Sequence, residues 1–342
     1  MTDRKMATIR KIEEIQAIPE ADKICAYRVG GWWVVDSVGK YVVDDLVVFC
    51  EIDSWIPNEI APFLSKGKEP REYNDVKGER LRSIRLKGQI SQGLILPLEP
   101  TCSMIESMLF EGLDVSYPLN IQKYEPPIPA QLAGLVKGNF PSQIPKTDQE
   151  RIQNLSADIK SWVDNKYLFE RSEKMDGSSM TAYIINGEFG VCSRNLDLKF
   201  DENNTFWKIA IKENLEDKLR SLGKNIAIQG ELIGNGVNGN IYKLDNHEFW
   251  LFDIYDIDAG QYYKSDDRQL LASNLEINHV PFVGSDFIFS EDTTIDDILS
   301  MAEGFSKRNP DVQREGIVFK CIQNPSISFK SISNTFLIKN GG

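Results

Sequence analysis

Glu173-Lys174-Met175-Asp176-Gly177-Ser178-Ser179 lies just past the middle of a 342-residue chain. Lys174, Asp176, Gly177 and Ser178 acquire a chemical reading when taken together. A lysine amine attacks phosphorus only when neutral, so a nucleophilic Lys174 needs its pKa lowered by desolvation or nearby cations. Asp176, two residues on, shares one face of an extended segment with it and can orient the lysine or a metal's water. Gly177 lets the backbone pass close to a nucleotide. The same residues also read as a β-turn with Asp-Gly at its corner and a solvated lysine. The stretch alone leaves both readings open.

On its C-terminal side the pattern is mixed: short strands from Tyr167, helices expected near 203–222 and 295–308, and strands again after Gly316. On its N-terminal side, Thr147-Asp148-Gln149-Glu150 is expected to open a helix, Thr147 capping it and Glu150 completing a capping box. Pro126-Pro127-Ile128-Pro129 and the stretch to Pro145 read as an extended connection. Residues 7 to about 120 are rich in short β-forming runs, such as Trp32-Trp33-Val34-Val35 and Leu46-Val47-Val48-Phe49, punctuated by Gly, Asp and Pro. Such spacing suggests a small closed barrel. The expected organisation is multidomain: an N-terminal β-barrel over residues 1–125, a linker over 126–150, and an α+β domain over 151–342.

Lys+Arg 39 against Asp+Glu 51 gives a net charge of −12, which argues against coating nucleic acid by bulk charge but permits a local basic groove. No apolar run is long enough to span a membrane. Met1 to Lys11 is polar and mixed in charge, unlike a signal peptide. The five cysteines, Cys25, Cys50, Cys102, Cys192 and Cys321, form no C-x-x-C pair. This points to a reducing intracellular compartment, cytoplasmic or nuclear, and excludes a thiolate zinc site. With His247 and His279 the only histidines, a His-based metal cluster or Ser-His-Asp triad is not expected.

Lys174-Met175-Asp176-Gly177 resembles motif I (K-x-D-G) of the covalent nucleotidyltransferases: DNA ligases, RNA ligases and mRNA capping enzymes. Further stretches follow in the order of that superfamily. Ser193-Arg194-Asn195 looks like motif Ia, which implies that Arg194 and Asn195 contact the ribose and nearby phosphates. Glu231, in Ile228-Gln229-Gly230-Glu231-Leu232, matches the motif III glutamate that reads the ribose or a metal-bound water. Phe252, in Phe249-Trp250-Leu251-Phe252-Asp253-Ile254, matches the motif IIIa aromatic that stacks on the purine. Arg314-Glu315-Gly316 looks like motif IV, with Glu315 facing a divalent metal, and Ser328-Phe329-Lys330-Ser331-Ile332 like motif V, with Lys330 reaching the α-phosphate. Taken singly, each residue also fits an ordinary strand position. Their order across the domain is what carries the resemblance. One departure is Ile332, where many ligases carry a second lysine; Lys320 or Lys339 is the candidate replacement.

The first domain narrows the resemblance. Ala7-Thr8-Ile9, Glu51-Ile52-Asp53-Ser54, Lys87-Gly88-Gln89-Ile90 and Ile144-Pro145-Lys146-Thr147-Asp148 resemble the Naegleria/Deinococcus-type RNA ligase family. There an OB barrel precedes the nucleotidyltransferase (adenylation) domain. That resemblance implies an ATP-dependent RNA ligase that uses Mg²⁺ or Mn²⁺ and joins a 3′-hydroxyl to a 5′-phosphate, notably at nicks in duplexes. Lys174 would become Lys-AMP; Asp176, Glu231 and Glu315 would serve the metal; Gly177 would lie against the nucleotide. DNA ligases and capping guanylyltransferases share these motifs but usually place the OB domain after the catalytic one. A non-catalytic RNA-binding module would not need Lys174, Glu315 and Lys330 together. Between Lys66 and Lys87 stand eight basic residues against four acidic ones. Arg80, Arg82 and Lys87 in this strip are the candidate RNA contacts, with Arg80 and Arg82 read as one face of a strand. Trp32 and Trp33 are candidates for base stacking. The expected assembly is a monomer.

Overall fold

The computed structural model describes residues 5–101, 109–124 and 134–340. They form two compact units, which divide within residues 125–133.

The first unit is built from antiparallel strands. Leu46–Cys50 is the centre of a three-stranded sheet, flanked by Ala7–Lys11 and Leu94–Pro97. Its unbroken apolar run is explained by burial on both faces. Val47 and Phe49 pack with Tyr27, Trp32 and Ile95, whereas Val48 and Cys50 pack with Ile9, Ile56 and Leu96. A meander of Glu14–Ala17, Ile24–Val29 and Trp32–Ser37 forms a second sheet, and Gln122–Lys123, Ser54–Pro57, Val76–Arg80 and Arg71–Tyr73 form a third. Trp32 belongs to the core at 2% exposure and lies against Phe49; Trp33 is partly exposed beneath Arg28. Only Trp33 of the two is therefore presented for stacking.

The second unit contains two sheets. The larger runs Val136–Asn139, Leu196–Leu198, Glu188–Cys192, Ser178–Ile185, Ile226–Ile233, Glu248–Asp256 and Gln261–Tyr262. The smaller runs Glu150–Arg151, Ser328–Ile332, Gly316–Cys321, Leu168–Lys174 and Phe282–Ile288. Alternation along each strand gives each sheet one apolar face. On the large sheet Met180, Ile228, Leu232, Phe249 and Leu251 pack beneath the helices Thr205–Lys212 and Leu215–Arg220. On the small sheet Phe169, Ile317, Phe319 and Phe329 pack with Trp162 of Ser156–Asp164 and Ile298 of Ile295–Ala302. The opposite faces carry the polar residues, including Lys174, Lys320 and Lys330 on the small sheet and Glu231 on the large one.

Three expectations are corrected here. Residues 134–150, read as part of a linker, belong to the second unit: Val136–Asn139 is a strand of the large sheet, and Phe140 and Ile144 pack with Tyr183 and Ala227. Thr147 caps no helix, because its hydroxyl is 2.7 Å from that of Ser179 and Glu150–Arg151 is a short strand parallel to Ser328–Ile332. The helix begins later, at Ser156. The helix expected over 295–308 ends at Ala302, where Arg314 donates to the carbonyls of Met301, Ala302 and Glu303. A cation at these terminal acceptors satisfies groups that a longer helix would have paired internally.

Candidate active site

Lys174 is the last residue of a small-sheet strand, and Ser178 is the first of a large-sheet strand. Met175-Asp176-Gly177 is thus the chain's crossing between the two sheets. Gly177 is required there by contact: a Cβ would lie 2.3 Å from the Leu232 carbonyl oxygen. Gly316, opposite Lys174 in the neighbouring strand, is similarly confined, since its Cβ would meet the Ser331 carbonyl at 2.1 Å. The two glycines let adjacent backbones close around the crossing.

Because Lys174 pairs with Gly316, the preceding residue, Glu315, lies beside the lysine. Lys174 Nζ donates to Glu315 Oε2 at 2.7 Å. Glu231 enters from the large sheet opposite Ser179. Two side chains from the loop after Ile226–Ile233 hold the crossing itself. Asn238 Nδ2 donates to Asp176 Oδ1 at 3.3 Å and to the Gly177 carbonyl, while the Asp176 amide donates to Tyr242 Oη at 2.8 Å. Asn238 and Tyr242 were not identified from the sequence. Their Gly- and Asn-rich surroundings signal a turn, but nothing local shows that the turn reaches back to Asp176.

The three acids and one amine share a single electrostatic environment. Burial lowers the proton affinity of Lys174, as expected for a nucleophile, but the charges of Glu315, Glu231 and Asp176 outweigh it and hold the pKa above its ordinary value. The expected net depression is therefore reversed by the carboxylates around the amine. Burial pushes Asp176 up to about 6, with the Glu315 charge adding to the effect. Burial pushes Glu231 up to about 8; Lys174 opposes this, and Glu315 and Asp176 reinforce it. Among the described residues no three His, Cys, Asp or Glu side chains form a ready-made metal cluster. The hard oxygen donors and their excess negative charge nevertheless suit Mg²⁺ or Mn²⁺ held by one or two carboxylates and several waters.

Phe252 is placed by an irregularity. Gln229 pairs with Asp253 and Gly230 with Leu251, so Phe252 is the extra residue of a β-bulge. It packs at the edge of an apolar group containing Met175, Ile233, Tyr242 and Val280. Lys330 lies on the same face of the small sheet as Lys174, opposite Val318. Ile332, at the departing motif V position, is buried opposite Gly316. Of the two candidate replacements, Lys320 is 5% exposed and ion-paired with Asp253, and Lys339 is exposed on the terminal helix Asn334–Asn340. Arg194 and Asn195 occupy the turn after Glu188–Cys192; Arg194 pairs with Asp148 and the Asn195 carbonyl accepts from the Phe140 amide.

In the first unit, the strand carrying Arg80 ends at that residue, so Arg80 and Arg82 do not form one strand face. Arg80 pairs with Asp53 at 2.5 Å and lies over the Tyr124 ring. Arg82 and Lys87 are exposed, Lys87 at the turn between Ile84–Leu86 and Gln89–Ser91.

Residues 169–335 match the RNA ligase family model, and residues 6–98 match an OB-fold domain. Among solved structures, a lysine-to-methionine mutant of Naegleria gruberi RNA ligase with AMP and Mn is 41% identical, with a TM-score of 0.85 and coverage of 98% of this chain and 99% of that one. A lysine-to-alanine mutant of the same ligase with ATP and Mn is 42% identical, with a TM-score of 0.83 and coverage of 98% and 99%. The ligase with PPi is also 42% identical, with a TM-score of 0.83 and coverage of 98% of both chains. No curated protein sequence matches the chain.

Proposed function

The chain belongs to the RNA ligase family, and we propose that it seals 3′-hydroxyl and 5′-phosphate ends at nicks in duplex RNA through a Lys174–AMP intermediate. It is an ATP-dependent RNA ligase, and Mg²⁺ or Mn²⁺ is its cofactor. The observation that carries the lysine's role is the contact of Lys174 Nζ with Glu315 at the crossing between the two sheets. In the first step the neutral amine attacks the α-phosphorus of ATP, the N–P bond forms, and pyrophosphate leaves. The RNA 5′-phosphate then takes the AMP from the lysine, and the 3′-hydroxyl finally displaces AMP.

Deprotonation of Lys174 is the requirement that this environment imposes. A cation held by Asp176, Glu231 and Glu315 would offset the carboxylate charge and so lower the lysine's proton affinity. Glu315 orients the amine, Phe252 stacks on the purine, and Arg194 and Asn195 serve the ribose and phosphates. Lys330 balances charge gathering on the α-phosphate. Residues 1–125 serve as the RNA-binding domain, and the second unit, residues 134–150 included, as the adenylation domain. The protein acts as a monomer. Buried thiols rather than disulfides at Cys25, Cys50, Cys192 and Cys321 support a reducing compartment, cytoplasmic or nuclear. No helix among the described residues is long and apolar enough to cross a membrane.

The test is incubation with α-labelled ATP or GTP and Mg²⁺, followed by denaturation, and sealing of nicked duplexes with RNA or DNA on each side. Label from ATP on the protein and sealing of RNA nicks are expected. Label from GTP alone would indicate a capping-type enzyme, and no label a binding module.

A further inference from the structure

The bulge at Phe252 changes the orientation of two successive side chains. Phe252 joins the apolar group containing Met175 and Tyr242. Asp253 is only 6% exposed and pairs with Lys320, a residue of the small sheet that is 5% exposed. An ordinary strand would send neighbouring side chains to opposite faces. Here one extra residue allows both to leave the apolar face occupied by Leu251 and Ile254.

Lys320 is itself fixed on its own sheet. It lies directly opposite Glu170 on the adjacent strand, and Glu170 pairs with Arg268, which is 1% exposed. The Lys320 ammonium also stands 5.6 Å from the centre of the Tyr262 ring. Its position is therefore set from several sides, and it is the anchor to which Asp253 is tied.

We propose that the Asp253–Lys320 ion pair is a positioning device for Phe252: it tethers the bulged strand to the small sheet and fixes where the aromatic ring meets the purine. Lys320 then acts on ATP through the base pocket and does not replace the missing motif V cation. The inference rests on the reading of Phe252 as the stacking residue. A pair this deeply buried gives little net stability over a well-packed apolar replacement, so its value lies in geometry.

The test is a double-mutant cycle with the full chain, using Phe252→Ala, Lys320→Met and their combination, with Lys174–AMP formation measured against ATP concentration. Asp253→Leu combined with Lys320→Met removes both charges together and serves as the variant that keeps folding intact. Phe252→Ala should raise the KM for ATP by about tenfold, and the charge-free pair should do the same with kcat for adenylylation nearly unchanged. Adding Phe252→Ala to the charge-free pair should then raise KM little further, because both act through one contact. Additive effects, or a severe fall in kcat at saturating ATP, would place Lys320 on the phosphates and overturn the proposal. A normal KM in the charge-free variant would also overturn it while leaving the stacking reading intact. A normal KM in Phe252→Ala would instead remove the stacking reading, and this inference with it.

Discussion

Lys174 Nζ and Glu315 Oε2, 141 positions apart in the chain, stand 2.7 Å apart because Lys174 pairs with Gly316, the strand residue that follows Glu315. The contact holds the amine at the crossing between two sheets, and it also keeps the amine protonated. Substituting Lys174 by Ala should abolish adenylylation. Lys174→Arg should fail as well, since a guanidinium stays protonated and is a poor nucleophile. Label from ATP on the denatured Lys174→Ala protein would refute the covalent mechanism.

Glu315→Ala and Lys330→Ala should each slow the chemical steps by roughly a hundredfold or more, a range typical for groups that stabilise developing charge. Neither is needed for the apolar packing of its strand, so far-ultraviolet circular dichroism should stay unchanged. Near-normal ligation by either variant would displace it from its assigned role.

Gly177→Ala tests the crossing itself. The new methyl group would stand 2.3 Å from the Leu232 carbonyl and 2.7 Å from Ile233 Cγ2. Backbone must shift to admit it, at a cost of about 1–3 kcal/mol. Because Gly177 is next to Asp176 and packs close to Glu231, adenylylation should fall together with stability. Denaturant unfolding beside ATP labelling checks both; an unchanged midpoint would show that the crossing is looser than its contacts imply.

The charged residues that the structure gathers around Lys174 were legible in the sequence through their local motifs and the order of those motifs, since Lys, Asp and Glu are themselves common in this chain. What surrounds them was not. The Phe252 bulge depends on pairing with a strand more than twenty residues away, and the Asp253–Lys320 pair on two sheets coming together. Thr147 and Glu150 matched a capping box, yet a hydroxyl partner on Ser179 and a strand partner in Ser328–Ile332 took them instead. Tertiary contacts overrode a local signal there. In the first unit the reverse happened. The unbroken run Leu46-Val47-Val48-Phe49 identified a strand correctly, and only its burial on two faces needed the structure.

His279 gives a pH-dependent prediction about stability. Arg268 Nε donates to His279 Nε2 at 3.1 Å, so Nδ1 must carry the proton donated to the Val280 carbonyl at 2.8 Å. Burial, aided by the Arg268 charge, lowers the imidazole pKa from 6.5 to about 4. Between those values the unfolded chain takes up a proton that the folded protein does not. The stabilisation is therefore full above about pH 6.5 and is lost as pH falls toward 4. Its ceiling is roughly 3 kcal/mol. Denaturant unfolding at several pH values should show this slope in the native sequence and a shallower one in His279→Gln. Equal slopes would mean that other groups dominate.

The basic strip of the first unit divides into two kinds of arginine and lysine. Arg80 is committed to Asp53 and Tyr124, whereas Arg82 and Lys87 are exposed. Side chains that neutralise phosphates release counterions, so removing such a side chain flattens the salt dependence of binding. Arg82→Ala with Lys87→Ala should therefore weaken binding to a nicked RNA duplex and reduce the log–log salt slope by about 2, at roughly 0.9 for each phosphate no longer neutralised. Arg80→Ala should change that slope much less, because its charge is already balanced by Asp53. Lys174–AMP formation should remain normal in the double variant, since these side chains position a duplex and do not act on ATP. Binding isotherms at several salt concentrations, beside ATP labelling, separate the effects. An unchanged slope in the double variant would make the strip an ordinary solvated surface and leave RNA binding to the adenylation domain.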